Sequence, residues 1–246
     1  MPFFKSIVLV ALIAGFSAPS FAAEKNLTTA DVERIVRDYI VSNPQVILSS
    51  VDDYQKKSMQ EKMSGALEAN KDMVFKDANS PETGNPKGDV TVVEFFDYNC
   101  GYCKKVLPMV QELLEKDKNV RFVFKDFAIL GPTSETAAKW ALAAHKQKKY
   151  FEYHQALMNN NTPIDDALLE KIAKDIGMDA GQAKKDIEST AVLLQLEKNR
   201  ALAGKLGMSG TPAFVIGDEI IPGAVGLDQV QAKIADQRKK NKKQKE

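Results

Sequence analysis

A β-branched and aromatic run, Val90, Val92, Val93, Phe95 and Phe96, is followed by a helix-like stretch from Lys104 to Leu114 and a second strand-like run from Val120 to Phe127. Strand, helix and strand at this spacing predict a βαβ unit, a parallel pair joined by a right-handed crossover. Where the first strand gives way to the helix stands Cys100-Gly101-Tyr102-Cys103, which holds both cysteines of the chain. A disulfide between them closes a very small ring, and small rings restrain an unfolded chain least. The pair is therefore poorly suited to stapling the fold and well suited to making and breaking one bond.

Cys100 falls at the expected helix start, where backbone N–H groups and the helix dipole favour thiolate over thiol. Cys103 lies one turn into the helix and is expected to be more shielded. In that arrangement Cys100 exchanges with a substrate disulfide and Cys103 resolves the mixed disulfide, while Gly101 and Tyr102 tune the poise. A zinc site usually takes four ligands, and the remaining candidates, His145 and His154, sit far along the chain and read as surface or partly buried residues. A c-type haem site needs histidine directly after the second cysteine, and Lys104 is there. Neither metal nor cofactor is expected.

Residues 1–22 read as an export signal. Lys5 supplies the positive start, Ile7 to Phe16 is almost wholly apolar, and Ser20-Phe21-Ala22 offers a cleavage site near Ala22. That apolar run is shorter than a spanning helix needs. Export predicts an oxidising envelope compartment, the periplasm, where a CxxC pair is held in its working state by dedicated partners. Losing one lysine from 34 Lys and Arg leaves 33 basic residues against 33 acidic ones. That balance excludes nucleic acid as the main partner.

In the N-terminal helical region, residues 23–77, Val32, Ile35, Val36, Tyr39 and Ile40 repeat at the spacing of an amphipathic helix capped by Thr28 or Thr29. Asn43-Pro44 breaks it. A second, more polar helix runs from about Val46 to Glu68. So few large apolar groups cannot form an independent core, so this region must pack on the rest of the chain or on another copy. Residues 78–88 read as a loop, and residues 133–206 as helical throughout. Thr162-Pro163 predicts a helix start, Asp179-x-x-Gln182 a capping box, and Gly177 and Gly207 helix ends. Gly210-Thr211-Pro212 leads into two short strands, Ala213 to Ile216 and Glu219 to Ile221, and a last helix from about Leu227 to Gln237. Residues 78–237 thus read as one α/β domain with a helical insertion at about 133–207, followed by a basic, disordered tail at 238–246, which could also touch a membrane surface.

The segment from Phe95 to Lys104, with Thr211-Pro212 far downstream and Gly84-Asn85-Pro86-Lys87-Gly88-Asp89 before the first strand, resembles the thioredoxin-fold disulfide oxidoreductases of the DsbA superfamily. The resemblance covers about residues 73–237. It implies that Pro212 is a cis-proline facing the active-site cysteines and that Thr211 offers backbone groups to an extended substrate. It also implies that Glu94 and Lys125 are a buried acid and a lysine behind the disulfide, either relaying protons to Cys103 or forming a strand-end ion pair. Gly101-Tyr102 departs from the Pro-His of DsbA oxidases and matches the dipeptide of DsbC-type isomerases. The helical prefix is similar to that of ScsC-type proteins, in which such a region assembles subunits.

The resulting expectation is a homo-oligomer, joined through residues 24–70, that rearranges or reduces disulfides in unfolded or misoxidised envelope proteins and draws electrons from a membrane thiol reductase. The alternative with the same chemistry is a monomeric dithiol oxidase coupled to a membrane oxidase. From another class comes a periplasmic copper-binding or holdase protein, with Met59, Met63 and Met73 beside the two soft thiolates.

Overall fold

The computed structural model describes residues 27–244, so the expected export signal lies outside the described residues. The chain divides into two compact units, one ending at Tyr54 and one running from Gln55 onward.

The first unit contains helix α1, Thr29–Ser42, and the start of α2, Pro44–Ala69. Thr28 caps α1 in a reciprocal box with Asp31, the Asp31 N–H donating to Thr28 Oγ1 at 3.2 Å and the Thr28 N–H to Asp31 Oδ2 at 3.2 Å. Pro44 opens α2 as its first residue, where a missing N–H costs nothing. No residue of α1 is buried, and Ile35, Val36 and Tyr39 are each about half exposed.

The second unit is built on a five-stranded sheet in the order β1-β3-β2-β4-β5. Its strands are β1 Glu82–Gly84, β2 Val90–Phe96, β3 Val120–Asp126, β4 Ala213–Ile216 and β5 Glu219–Pro222. β2 and β3 are parallel and joined through α4, Gly101–Lys116, as the βαβ pattern requires. The other neighbours pair antiparallel. Side chains alternate across the sheet. Val92 and Phe96 of β2, Phe122 and Phe124 of β3 and Phe214 of β4 enter one core with Val106, Leu107 and Val110 of α4. Val93, Phe95, Val123, Ala213 and Val215 enter the other, with Leu67 of α2 and Val74 of α3, Lys71–Phe75.

The insertion is five helices: α5 Pro132–Lys146, α6 Tyr150–Met158, α7 Asp166–Asp175, α8 Ala180–Asp186 and α9 Thr190–Lys205. Gly177 and Gly207 follow α7 and α9 at φ of 75° and 70°, the left-handed conformation that lets a helix end sharply. Asp179 caps α8 by accepting from the Gln182 N–H at 2.8 Å. The chain closes with α10, Leu227–Lys243.

Four expectations need correction. Residues 55–77 fall in the second unit and not with the first, and Leu67 and Val74 are buried in its second core. Within the expected loop 78–88, Glu82–Gly84 pairs with β3 as a short edge strand, reinforced by Arg121 on Glu82 at 2.6 Å. The helix expected at Thr162 starts instead after Asp165, whose side chain accepts from the Leu168 N–H at 2.8 Å, while the Thr162 hydroxyl is taken by Asn160. Of the tail expected to be disordered at 238–246, residues 238–243 are helical, since α10 continues to Lys243. Arg238 forks to Asp89 and Asp117 at 2.7 Å each, and Lys240 reaches Asp218 at 2.8 Å.

Lys125 organises the second core. Its Nζ donates to the Met73 carbonyl at 2.8 Å, to Ser80 Oγ at 2.7 Å and to Asp77 Oδ2 at 3.0 Å. Asp77 also accepts from Gln195 of α9 at 2.8 Å. Burial pushes the Asp77 carboxyl up, but the Gln195 and Lys125 contacts outweigh it and hold the group at about 2. The ion pair therefore ties the α3 segment, β3 and α9 together. Lys125→Met, which strands the Asp77 carboxylate and two further acceptors, is expected to cost about 3 kcal/mol in denaturant unfolding. The reactivity of Cys100 in the folded variant should be unchanged.

Candidate active site

α4 begins where β2 delivers it, and its N-cap is Cys100. The Cys103 N–H donates to Cys100 Sγ at 3.4 Å, within the reach of a sulfur acceptor. Cys100 Sγ thus occupies the place a serine or aspartate takes at an ordinary N-cap. Its thiol donates to the Thr211 carbonyl at 3.2 Å, and the Thr211–Pro212 bond that follows is cis. Both cysteines are free thiols. Cys103 is 1% exposed and Cys100 6% exposed, so the inner thiol is the more enclosed. Gly101 and Tyr102 are open to solvent, and Lys105 Nζ lies 5.2 Å from the centre of the Tyr102 ring.

The two thiols differ because their surroundings differ. Burial pushes the Cys103 thiol far up, and the nearby Glu94 adds to the rise. Glu94 is itself buried, and desolvation alone pushes its carboxyl up to about 8. It projects from the same face of β2 as Val92 and Phe96, toward the core that holds Cys103.

Glu94 and Lys125 are not brought together. In the β2–β3 register Glu94 stands opposite Phe124, and Lys125 stands opposite Phe95. The two side chains therefore leave the sheet on opposite faces, and the ammonium is engaged with Asp77. Neither the Glu94–Lys125 ion pair nor a relay shared with Lys125 exists in this arrangement.

Sequence reasoning missed several polar residues around the site. Asp97, 1% exposed, directly follows β2 and accepts four hydrogen bonds: from the Asn99 N–H and Ser134 Oγ at 2.7 Å each, and from the Ile129 and Leu130 N–H groups at 2.8 and 2.9 Å. His154, expected to be at least partly exposed, is enclosed by Phe96, Phe124, Tyr150 and Phe151, and its Nδ1 lies 3.2 Å from the Tyr98 hydroxyl. Burial pushes its imidazole down to about 3, so it is neutral at neutral pH. Asp126 accepts from the Tyr150 hydroxyl at 3.1 Å, and burial pushes its carboxyl up to about 7. A short polar residue among apolar ones was the available signal for Asp97, but its partners Ile129, Leu130 and Ser134 lie far along the chain. Met59 and Met63 lie on α2, and Met73 on α3 serves Lys125 through its carbonyl.

Two family descriptions match the chain: a DSBA-like thioredoxin domain over residues 91–235, and the N-terminal domain of the copper resistance protein ScsC over residues 29–61. A thioredoxin-like oxidoreductase from Silicibacter pomeroyi DSS-3 is 45% identical, covering 69% of this chain and 98% of that one, with a TM-score of 0.68. A linker-deletion mutant of Proteus mirabilis ScsC is 32% identical, covering 89% of this chain and 100% of that one, also with a TM-score of 0.68. Among curated proteins, disulfide bond formation protein D of Bacillus subtilis is 25% identical over 166 residues, covering 63% of this chain and 75% of that protein. The chain spans only 24% of the length of the Salinispora Na(+)/H(+) antiporters NhaA that it also matches, at 26% and 27% identity.

Glu94 gives the site a measurable pH signature. Between the ordinary carboxylate pKa of 4.5 and its folded value of about 8, the native state holds a proton that the unfolded chain has released. This contribution is therefore complete below pH 4.5 and is lost as pH rises through 8. Glu94→Gln removes it. Measured by denaturant unfolding of the reduced protein, the variant should match the wild type near pH 4 and gain on it steadily up to about pH 8.

Proposed function

Because the chain belongs to the DsbA-like thioredoxin family, we propose that it is an exported thiol–disulfide oxidoreductase of the periplasm that rearranges or reduces disulfides in envelope proteins. The observation that carries the chemistry is the placement of Cys100 Sγ on the Cys103 N–H, beside the carbonyl that precedes cis-Pro212. The Cys100 thiolate attacks one sulfur of a substrate disulfide, forming a mixed disulfide and releasing the other substrate sulfur as a thiolate. That thiolate can attack elsewhere in the substrate until Cys100 is displaced, which rearranges the disulfides with no net electron transfer. Alternatively, Cys103 attacks Cys100 Sγ, releasing a reduced substrate and leaving the Cys100–Cys103 disulfide for a membrane thiol reductase to reduce. Cys103 must lose its proton to do so, and Glu94, buried in the same core with its carboxyl pushed up to about 8, takes that proton only in its ionised form. Thr211 and Pro212 present the backbone edge along which an extended substrate lies.

Rearrangement is favoured over net oxidation by Gly101-Tyr102 and by the helical prefix. The apolar stripe of α1 is uncovered within its own unit, which supports self-association through residues 24–70. Several Cys100 thiolates would then share one cleft. A monomeric dithiol oxidase is the reading this displaces.

Cys100→Ser should reduce insulin-disulfide reduction to background, and Cys103→Ser should accumulate a mixed disulfide with substrate. The reduced wild type should restore activity to a scrambled multi-disulfide protein; no recovery, with insulin reduction intact, would leave a reductase or oxidase. Light scattering on the full chain without residues 1–22 should give an oligomer mass, and a monomer mass would remove the shared cleft.

A further inference from the structure

We propose that Asp97 is a positioning residue for thiol–disulfide exchange, clamping the turn that presents Cys100 to the loop after β3 and to the first turn of α5. This rests on Cys100 being the attacking thiol.

The main-chain carbonyl of Asp97 accepts the Cys100 N–H at 3.1 Å, so the residue forms one arm of the turn that carries the nucleophile. Its carboxyl group holds the other arm in place. Oδ1 takes the Asn99 N–H and the Ser134 hydroxyl, and Oδ2 takes two successive N–H groups, those of Ile129 and Leu130. The Asn99 side chain closes the ring by donating to Thr133 Oγ1 and Ser134 Oγ at 2.8 Å each. Three of the four partners of Asp97 are backbone N–H groups that can only donate, so both of its oxygens must accept. A carboxylate satisfies that condition, and an amide of the same shape cannot. The turn cannot shift without breaking this set, and the turn fixes the start of α4, hence the Cys103 N–H that faces Cys100 Sγ.

Charge and geometry work in opposite directions here. A negative charge next to the active-site turn disfavours a Cys100 thiolate. If Asp97 acted through its charge alone, removing it would make Cys100 more acidic. If it acts by holding the turn, removing it loosens the Cys103 N–H from Cys100 Sγ and makes Cys100 less acidic. The other titratable groups beside it, Asp126 and Cys103, are left in place by the substitutions that test this.

The experiment is alkylation of the reduced full chain by iodoacetamide as a function of pH, with the modified cysteine identified by peptide mapping. Asp97→Asn should raise the thiolate pKa of Cys100 by about half a unit or more, seen as an alkylation rate about threefold lower at a pH below the midpoint. Ser134→Ala removes one donor without changing any charge and should shift the pKa the same way by less. If circular dichroism shows that Asp97→Asn does not fold, the Ser134→Ala shift decides. A folded Asp97→Asn whose thiolate pKa is unmoved or lowered overturns the proposal, even if its melting temperature falls, because a merely structural role predicts that pattern. Wild-type alkylation that lands on Cys103 overturns the assignment of Cys100 as nucleophile, and the Asp97 role with it.

Discussion

β2 is buried on both faces, and most of the second unit follows from that. A strand in this position has no solvent side, so each residue is committed by parity to one core or the other. Val92, Glu94 and Phe96 go beneath α4, and Val93 and Phe95 go toward Leu67, Val74 and Leu202. The same parity on β3 sends Phe124 to the Glu94 side and Lys125 away from it. A carboxyl committed to the α4 side without a cation is neutral over most of the physiological range. The lysine, on the other face, meets a carboxylate and becomes a joint. Two ionisable residues one position apart in register thus acquire unrelated surroundings.

The asymmetry of the two thiols also comes from placement and not from residue type. An N-cap side chain faces the free N–H groups of the first turn, and a residue at the third helical position here turns its side chain inward. Cys100 is the cap and Cys103 the third helical residue, so the outer sulfur receives a hydrogen bond from the backbone of the inner cysteine. The inner sulfur sits among buried apolar groups beside Glu94. In the proposed exchange, the order of events, outer thiol first and inner thiol second, follows from where the helix begins.

The features legible in the sequence were local in their physics. The βαβ unit, the amphipathic stripe of α1, the cap at Thr28 and the glycines that end α7 and α9 each depend on residues close in the chain. The Cys100–Cys103 pair and Thr211-Pro212 were legible through resemblance as well as pattern. What escaped depends on particular partners that no local pattern names. β1 is three residues of turn-forming composition and is a strand only because β3 lends it an edge. Thr162 has the chemistry of a cap, but its hydroxyl is taken by Asn160, so Asp165 caps α7 instead. The basic run at the C-terminus reads as solvated until Arg238 meets Asp89 and Asp117, which lie 149 and 121 positions away. Asp97 and Lys125 belong to the same class, since their partners come from other elements.

The residues proposed for exchange, Cys100, Cys103, Glu94, Asp97, Thr211 and Pro212, all come from the second unit. The first unit contributes no thiol, and its helix α1 has no buried residue of its own. Short helices in water are marginal without an apolar face to pack against. A chemical role is therefore not needed to explain the apolar stripe, but a covering surface is. If another copy supplies that cover, the prefix changes how many Cys100 thiolates a substrate meets at once and which redox partners can reach them. The nucleophile, its resolving partner and the turn that aims it stay the same. On this view oxidation and rearrangement are separated by assembly acting on an unchanged site, with Gly101-Tyr102 setting its poise.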